Sequence, residues 1–244
     1  MCTNPQLLRN RSKIVKTSEP FPYVSRYNRF APLYNIVPCG KCLECLKKTQ
    51  NDWMIRMAEE IRSKGKAVFV TLTYRPADVP IMVDKVTGEF KNSLCVSDVQ
   101  KWIKRFRTYV ERHCPNFPKW SYFLCGEYGP CTVRPHYHCI FFGLSRNDIS
   151  VALADWRKRF GYVSAKNVGV TDKDGRVVAK YVSKYACKGI FRGKDNFNGS
   201  RVPEFRLMSK GLGKDFIENR AKFILCKLFI DKNIVKYDFL LDLL

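Results

Sequence analysis

The segment Ala67–Tyr74 (AVFVTLTY) constrains the fold more than any other stretch of the sequence. Its β-branched and aromatic residues read as a strand, Arg75-Pro76 ends it, and a strand so apolar must be buried. The neighbouring periodicities supply what would cover it. Upstream, Asp52 stands where a helix N-cap is expected, Met54, Met57, Ala58 and Ile61 follow at helical spacing, and Gly65 closes the element. Downstream, residues 84–92 have turn composition and read as an exposed excursion. Ser97 then heads a second helix, with Val99, Ile103, Phe106 and Val110 on one face. Residues 122–126 and 136–143 read as two further strands. A third helix turns Ile149, Ala152, Leu153, Trp156 and Phe160 inward and stops at Gly161. A weaker strand covers 162–170, and a last helix runs from about 175 to 188 with Gly189 just past its end. Strands and helices interleave without a Gly-rich phosphate loop or a parallel β-α-β rhythm. The expected fold is therefore α+β, a central, mainly antiparallel sheet flanked by helices.

Charge decides the class of partner. The 244 residues carry a formal net charge of +22, from 44 Lys+Arg against 22 Asp+Glu, on a 45% hydrophobic fraction that belongs to a folded chain. Such an excess repels itself unless a polyanion binds, and nucleic acid is the leading candidate. A non-catalytic RNA-binding or ribosome-associated protein would satisfy the same charge. Lys101, Lys104, Arg105 and Arg107 on the second helix read as solvated surface, with a nucleic-acid-facing role as the alternative. The start of the chain has no apolar signal-peptide core, and the apolar tail is broken by Lys227, Asp231, Lys232 and Lys236. A soluble, intracellular protein with no membrane partner is expected. Eleven cysteines in a reducing compartment are poor candidates for a disulfide framework, and their odd count agrees with free or metal-bound thiols.

Two of the three histidines, His136 and His138, flank one tyrosine. On a strand, side chains two apart share a face, with Cα atoms roughly 6.8 Å apart. The two imidazoles can hold one cation between them, although the pair alone is equally compatible with two ordinary strand histidines. Glu127 shifts that balance. It ends the preceding strand, so hairpin pairing would bring its carboxylate to the histidines, and two imidazoles plus one carboxylate leave positions open for water and phosphate oxygens. In Tyr181-Val182-Ser183-Lys184-Tyr185-Ala186-Cys187-Lys188, two phenols at i and i+4 are neighbours on one helix face. A phenol with a free pKa of about 10 needs help to act as a nucleophile, which Lys184 and Lys188 can give; packed tyrosines and solvated lysines are the alternative. Cys39, Cys42 and Cys45 lie around a turn favoured by Pro38 and Gly40, with Cys2 as the distant fourth ligand. Structural Zn2+ is the leading reading for these thiols. Iron–sulfur ligation lacks the fourth nearby cysteine that its pattern expects, and unmetallated thiols stay open. Cys125, Cys139 and Cys187 read as small core residues, and His113 as a charge at a helix end.

Phe69-Val70-Thr71-Leu72-Thr73-Tyr74, then Gly126-Glu127 with Arg134-Pro135-His136-Tyr137-His138, then Tyr181-x-x-Lys184-Tyr185 resemble, in order, the three motifs of HUH-type replication initiators. The closer resemblance is to those of small circular single-stranded DNA phages, the microviruses, and especially their gokushovirus branch. There Met1-Cys2, Pro38-Cys39-Gly40-Lys41-Cys42-x-x-Cys45, Leu124-Cys125-Gly126-Glu127-Tyr128-Gly129, Glu204-Phe205-Arg206 and Ser209-Lys210-Gly211-Leu212-Gly213 have counterparts. The resemblance implies an RRM- or ferredoxin-like HUH core. It also implies a Mg2+ or Mn2+ ion on Glu127, His136 and His138, and attack by Tyr181 or Tyr185 on an origin in circular single-stranded DNA. The products would be a 5′-phosphotyrosine and a free 3′-OH for rolling-circle synthesis. Host helicase and DNA polymerase would be partners in the cytoplasm of a bacterial host, with no small-molecule substrate. A zinc-stabilised, non-catalytic binder and an HUH transposase or relaxase are the alternatives. The expected organisation is a basic, cysteine-rich segment over 1–50, a catalytic domain over 51–215, and an apolar tail over 216–244 that departs from the family.

Overall fold

The computed structural model describes residues 2–9, 34–84, 87–129, 132–168, 177–180, 183, 201–214, 216 and 218. The chain divides into two compact units, Met1–Thr49 and Gln50–Leu244. In the first, β1 (Gln6–Arg9) and β2 (Tyr34–Val37) pair antiparallel. Helix α1 (Leu43–Lys64) starts in this unit and continues in the second. It begins at Leu43, not after Asp52: the Cys42 carbonyl already accepts the Leu46 N–H at 3.0 Å. The extra turns, Leu43 to Asn51, are rich in helix-forming Leu, Glu, Lys and Gln but carry no apolar stripe. Amphipathic spacing therefore misses them while intrinsic propensity extends the helix through them. Gly65 ends α1 as expected, at φ +68, with its N–H on the Ile61 carbonyl at 3.0 Å.

The second unit is built on β3 (Ala67–Tyr74), β6 (Ser121–Tyr128), β7 (Pro135–Phe142), β8 (Gly161–Val168) and β9 (Phe205–Met208), in the order β8-β3-β7-β6-β9. All four pairings are antiparallel. Helix α2 (Val96–His113) joins β3 to β6, and α3 (Ser150–Arg159) joins β7 to β8. The β-α-β-β-α-β order with this strand arrangement is the ferredoxin-like topology, extended at one edge by β9. Residues 84–92 are not one excursion. Between the short strands β4 (Ile81–Val83) and β5 (Phe90–Asn92), Lys91 Nζ meets buried Asp84 Oδ2 at 2.5 Å. The edge strand β9 is not foreseen from sequence because Phe205–Met208 is four residues long and has no clean alternation.

The sheet has two unlike faces. On one, Val68, Val70, Leu72, Tyr74, Leu124, Tyr137, Cys139 and Phe141 are buried against Val99, Trp102, Phe106 and Val110 of α2 and Leu153 and Trp156 of α3. Burying side chains of this size stabilises the fold by about 1.5–3 kcal/mol each. On the other, Met57 and Ile61 of α1 pack with Ala67, Phe123, Ile140, Phe142, Val168, Ala179 and Leu212. Buried Glu60 of α1 is satisfied at once by Ser121 Oγ at 2.6 Å and the Gly213 N–H at 3.1 Å. Gly161 is required where α3 gives way to β8. At φ +150, a Cβ there would lie 2.4 Å from Arg75 N and 2.7 Å from Thr73 O. Among the described residues, no helix is long and apolar enough to cross a membrane.

Candidate metal centre

β6 and β7 pair with Glu127 directly opposite His136 and Cys125 opposite His138. Directly paired residues of an antiparallel ladder share a face, so period-two alternation puts Glu127, His136 and His138 together, opposite to Tyr137. Glu127 Oε1 lies 2.7 Å from His136 Nε2 and 2.8 Å from His138 Nε2. All three ligand atoms fall within 4.8 Å of one another, and Glu127 is only 4% exposed. The rings of His136 and His138 stand nearly perpendicular, at 81° with centroids 5.1 Å apart, and His138 stacks on Phe69 at 5.5 Å.

The outer nitrogens define how the inner ones act. His136 Nδ1 is 3.1 Å from the Arg134 carbonyl, which can only accept, so the proton is assigned to Nδ1 and the neutral ring turns its Nε2 lone pair to Glu127. A lone pair and a carboxylate oxygen at 2.7 Å repel unless a cation or a further proton lies between them. The donor set therefore fits a divalent ion, and two imidazoles with one carboxylate leave further positions open. Thr71 Oγ1 holds His138 Nδ1 at 3.1 Å from the adjacent strand β3. The turn before β7 is closed by Gly129 N–H to Arg134 O at 3.0 Å and Val133 N–H to Gly129 O at 3.1 Å, with Val133 at φ 52. A β-branched residue rarely takes that conformation, and here the hydrogen bonds that deliver Arg134 and His136 hold it. Arg134 also donates from its guanidinium to the Tyr74 carbonyl.

Tyr137, between the two histidines, belongs to the opposite face. Its hydroxyl accepts the Cys95 N–H at 2.8 Å and lies 3.0 Å from the Tyr74 hydroxyl, which donates to Asp98 at 2.8 Å. Burial drives the pKa of both phenols upward, which disfavours their ionised form. Tyr128 is raised for the same reason. The face of the histidines continues outward across β3 to the edge strand β8, where Thr73 pairs with Tyr162 and Thr71 with Ser164. Tyr162, Ser164 and Lys166 are exposed. Thr71 and Tyr162 had no role in the sequence reading. The signal available was their even spacing on strands whose neighbouring positions pair with His138 and His136.

A second group of ligands lies in the first unit, where Cys2, Cys39, Cys42 and Cys45 bring their sulfurs within 4.8 Å of one another. Backbone hydrogen bonding at Thr3 holds the Cys42 thiol down to about 5, whereas burial pushes Cys45 up to about 12. Cys125 and Cys139 are fully buried in the core, and His113 is the last residue of α2, its ring against Tyr109. Of the helix expected over about 175–188, residues 177–180 and 183 are helical, with Ala179 and Ser183 buried. Tyr181, Lys184, Tyr185, Cys187 and Lys188 lie outside the described residues, as does the tail apart from residues 216 and 218.

The family described as replication-associated protein ORF2 matches residues 67–189, from β3 through the histidine strand to the segment with Tyr181 and Tyr185. The replication-associated protein ORF2 of Spiroplasma virus 4 is 32% identical over 213 residues, covering 82% of this chain and 63% of that protein. The replication-associated protein ORF4 of Chlamydia phage 1 is 28% identical over 83% of this chain and 51% of its own length. The replication-associated protein VP4 of Bdellovibrio phage phiMH2K is 25% identical over 74% and 57%. The chain thus spans between 51% and 63% of the length of these relatives. No solved structure matches it. With the expected motifs in order and the family's match covering half of the sequence, the chain belongs to the replication-associated protein ORF2 family of phage replication initiators.

Proposed function

We propose that the chain initiates rolling-circle replication by nicking single-stranded DNA at an origin, through metal-assisted attack of a tyrosine on the scissile phosphodiester. The observation that carries this reading is the convergence of the Glu127 carboxylate with the two inner imidazole nitrogens on the partly open face of the sheet. A Mg2+ or Mn2+ ion held by Glu127, His136 and His138 would polarise the phosphate and offset the charge that builds on it. Everything else falls to the protein's own groups. Arg134 and Thr71 fix the orientation of the two imidazoles from outside. Tyr162, Ser164 and Lys166 offer an exposed strip along which a single strand can run, stacked at Tyr162 and neutralised at Lys166. The net charge of +22 supplies the wider attraction for a polyanion.

The nucleophile is assigned to Tyr181 or Tyr185. The three tyrosines buried nearest the centre, Tyr74, Tyr128 and Tyr137, are turned to the other face and resist ionisation. In support, Ala179, shortly before the pair in sequence, packs with Phe123 and Ile140 on the face that carries the histidines. In the reaction the phenol oxygen bonds to phosphorus, the phenol proton leaves to a base or water, and the P–O3′ bond breaks. The departing 3′ oxygen takes up a proton to become the 3′-OH, and the 5′ phosphate remains ester-linked to tyrosine. Reversal with a different 3′-OH rejoins strands, so two tyrosines suffice to open and later close a circle. Lys184 and Lys188 would stabilise the phenolate and the phosphate.

The test is incubation of the full chain with circular single-stranded DNA of the replicon that encodes it, with Mg2+ or Mn2+. A covalent protein–DNA adduct should form, peptide mapping should place the link on Tyr181 or Tyr185, and chelator should abolish it. An adduct that persists in the Tyr181→Phe/Tyr185→Phe double variant would overturn the assignment. Cleavage that leaves no adduct would overturn the transesterification itself. A chain that binds single strands but never cuts them would favour the zinc-stabilised binding protein.

A further inference from the structure

The cysteine cluster plays no part in the transesterification, and its geometry is that of a site for a single ion. Cys42 Sγ lies 3.8 Å from Cys2 Sγ and Cys39 Sγ lies 3.9 Å from Cys45 Sγ. A tetrahedron with Zn–S bonds of about 2.3 Å has S···S edges of about 3.8 Å. The four cysteines are free thiols, and neither of these separations approaches the roughly 2.05 Å of a disulfide. An iron–sulfur cluster would spread its thiolates over several irons and hold them further apart than 4.8 Å. The backbone also treats these sulfurs as anions. The Cys39 N–H donates to Cys2 Sγ and the Cys42 N–H to Cys39 Sγ, each at 3.3 Å. Gly40, at φ +74, makes the turn that allows the second of these. Cys42 and Cys45 stand at the head of α1, where the helix dipole favours negative charge.

The unit that holds the cluster needs such a link. Among the described side chains of Met1–Thr49, only Cys45 and Leu46 are buried. A unit this small with so little core is stable only when something else closes its loops. Cys2 and Cys39 are 37 residues apart, and the sulfur cluster bridges that separation beside the β1–β2 pair.

We propose that Cys2, Cys39, Cys42 and Cys45 hold one structural Zn2+ that fastens the start of the chain to the head of α1 and keeps Met1–Thr49 folded. Binding releases thiol protons and forms four Zn–S bonds, with no change of oxidation state. The site is closed: four protein ligands leave no position for substrate, in contrast to the open set at Glu127, His136 and His138.

The test uses the full chain, purified in reductant and passed through metal-free buffer. Elemental analysis should find one tightly held zinc per chain, retained in Glu127→Gln and absent from Cys39→Ser/Cys42→Ser. Because those variants can fail to fold, wild-type protein is also reloaded with Co2+. A thiolate-to-cobalt charge-transfer band with a tetrahedral visible spectrum should appear at one equivalent and fall by about a quarter in Cys2→Ser. On chelation, protease should cut within 1–49 while the sheet stays protected. Zinc absent from reduced wild-type protein would overturn the proposal. So would zinc lost from Glu127→Gln but kept in the cysteine variant, or iron with labile sulfide. None of these outcomes depends on whether the chain nicks DNA, so failure here and failure of the nicking assay are separate results.

Discussion

The two faces of β7 show how one strand divides stability from chemistry. Its residues Pro135–Phe142 alternate, and Tyr137, Cys139 and Phe141 enter a continuous aromatic core. There Trp102, Trp156, Tyr74 and Phe106 meet one another and their neighbours Phe141, Tyr137 and Trp120 at ring centroids of 5.2–5.9 Å. His136 and His138 take the other face, where Ile140 and Phe142 are sealed under α1 but the end carrying the histidines is not. The same contrast runs along β3: Val68, Val70, Leu72 and Tyr74 are fully buried, while Phe69, Thr71 and Thr73 are only partly so. Buried polar groups on the core face are tyrosine hydroxyls paired with each other and with backbone. On the other face they are ligand atoms turned inward on one another, which a fold does not need. The difference predicts that the faces can be damaged separately.

The largest separation is expected at Glu127. Glu127→Gln keeps the shape but removes the charge that binds a cation, so strand nicking should fall by several kcal/mol of barrier, about 10³-fold. Thermal denaturation should show Mn2+ raising the wild-type melting temperature and leaving that of the variant unchanged. A variant that nicks normally would remove the metal centre from the chemistry. Trp156→Ala attacks the other face. It deletes a fully buried indole in contact with Tyr74, Trp102, Tyr137 and Phe160, and should lower the unfolding free energy by about 3–5 kcal/mol. Denaturant titration measures the loss. The metal-induced stabilisation should survive in whatever fraction remains folded, and its disappearance would mean that the faces are coupled.

A finer break lies within a single strand. Tyr137→Phe leaves the Cys95 N–H and the Tyr74 hydroxyl without their shared partner in a dry core, which should cost about 1–3 kcal/mol. Its neighbours on both sides are the ligands, yet metal affinity should stay the same. A loss of metal binding larger than the loss of stability would show that the alternation does not insulate the site.

How much of this was legible beforehand follows from the same alternation. A strict period of two on β7 put His136 and His138 on one face, and a short turn after Glu127 placed its carboxylate opposite them. Ala67–Tyr74 was legible because an apolar, β-branched run of eight admits few other conformations. The helices α2 and α3 were legible from Val99, Ile103, Phe106, Val110 and from Ala152, Leu153, Trp156, where burial and periodicity coincide. The start of α1 was not, since residues 43–51 are held helical by propensity and leave no apolar stripe to read. Neither was β9, whose four residues become a strand only because β6 offers an edge. Thr71 escaped for a related reason: its role is a hydrogen bond to His138 from a neighbouring strand, and cross-strand register is not written in local sequence.

The smallest expected effect tests how far the open face reaches. Tyr162 is 58% exposed, and the register Tyr162–Thr73–His136–Glu127 places it in one row with the ligands, two strands away from His136. An exposed phenol ring contributes little to folding, so Tyr162→Ala should leave the denaturation midpoint nearly unchanged. If a base stacks on the ring, affinity for a single-stranded oligonucleotide should fall by about 1–3 kcal/mol, on the order of tenfold. Tyr162→Trp should restore it, because stacking needs a flat ring and not a hydroxyl. Salt dependence separates this contact from its neighbour on the same strand. Removing an uncharged ring should lower affinity at every ionic strength without altering the slope of log K against log salt. Lys166→Ala should reduce that slope by about 1. A Tyr162→Ala variant that binds as the wild type does would confine the DNA track to the other side of the histidines, toward β6 and β9. There Arg206 lies over Trp53 with its guanidinium carbon 5.5 Å from the ring centroid, and the same pair of measurements, stacking rescue and salt slope, would then be made on Trp53 and Arg206.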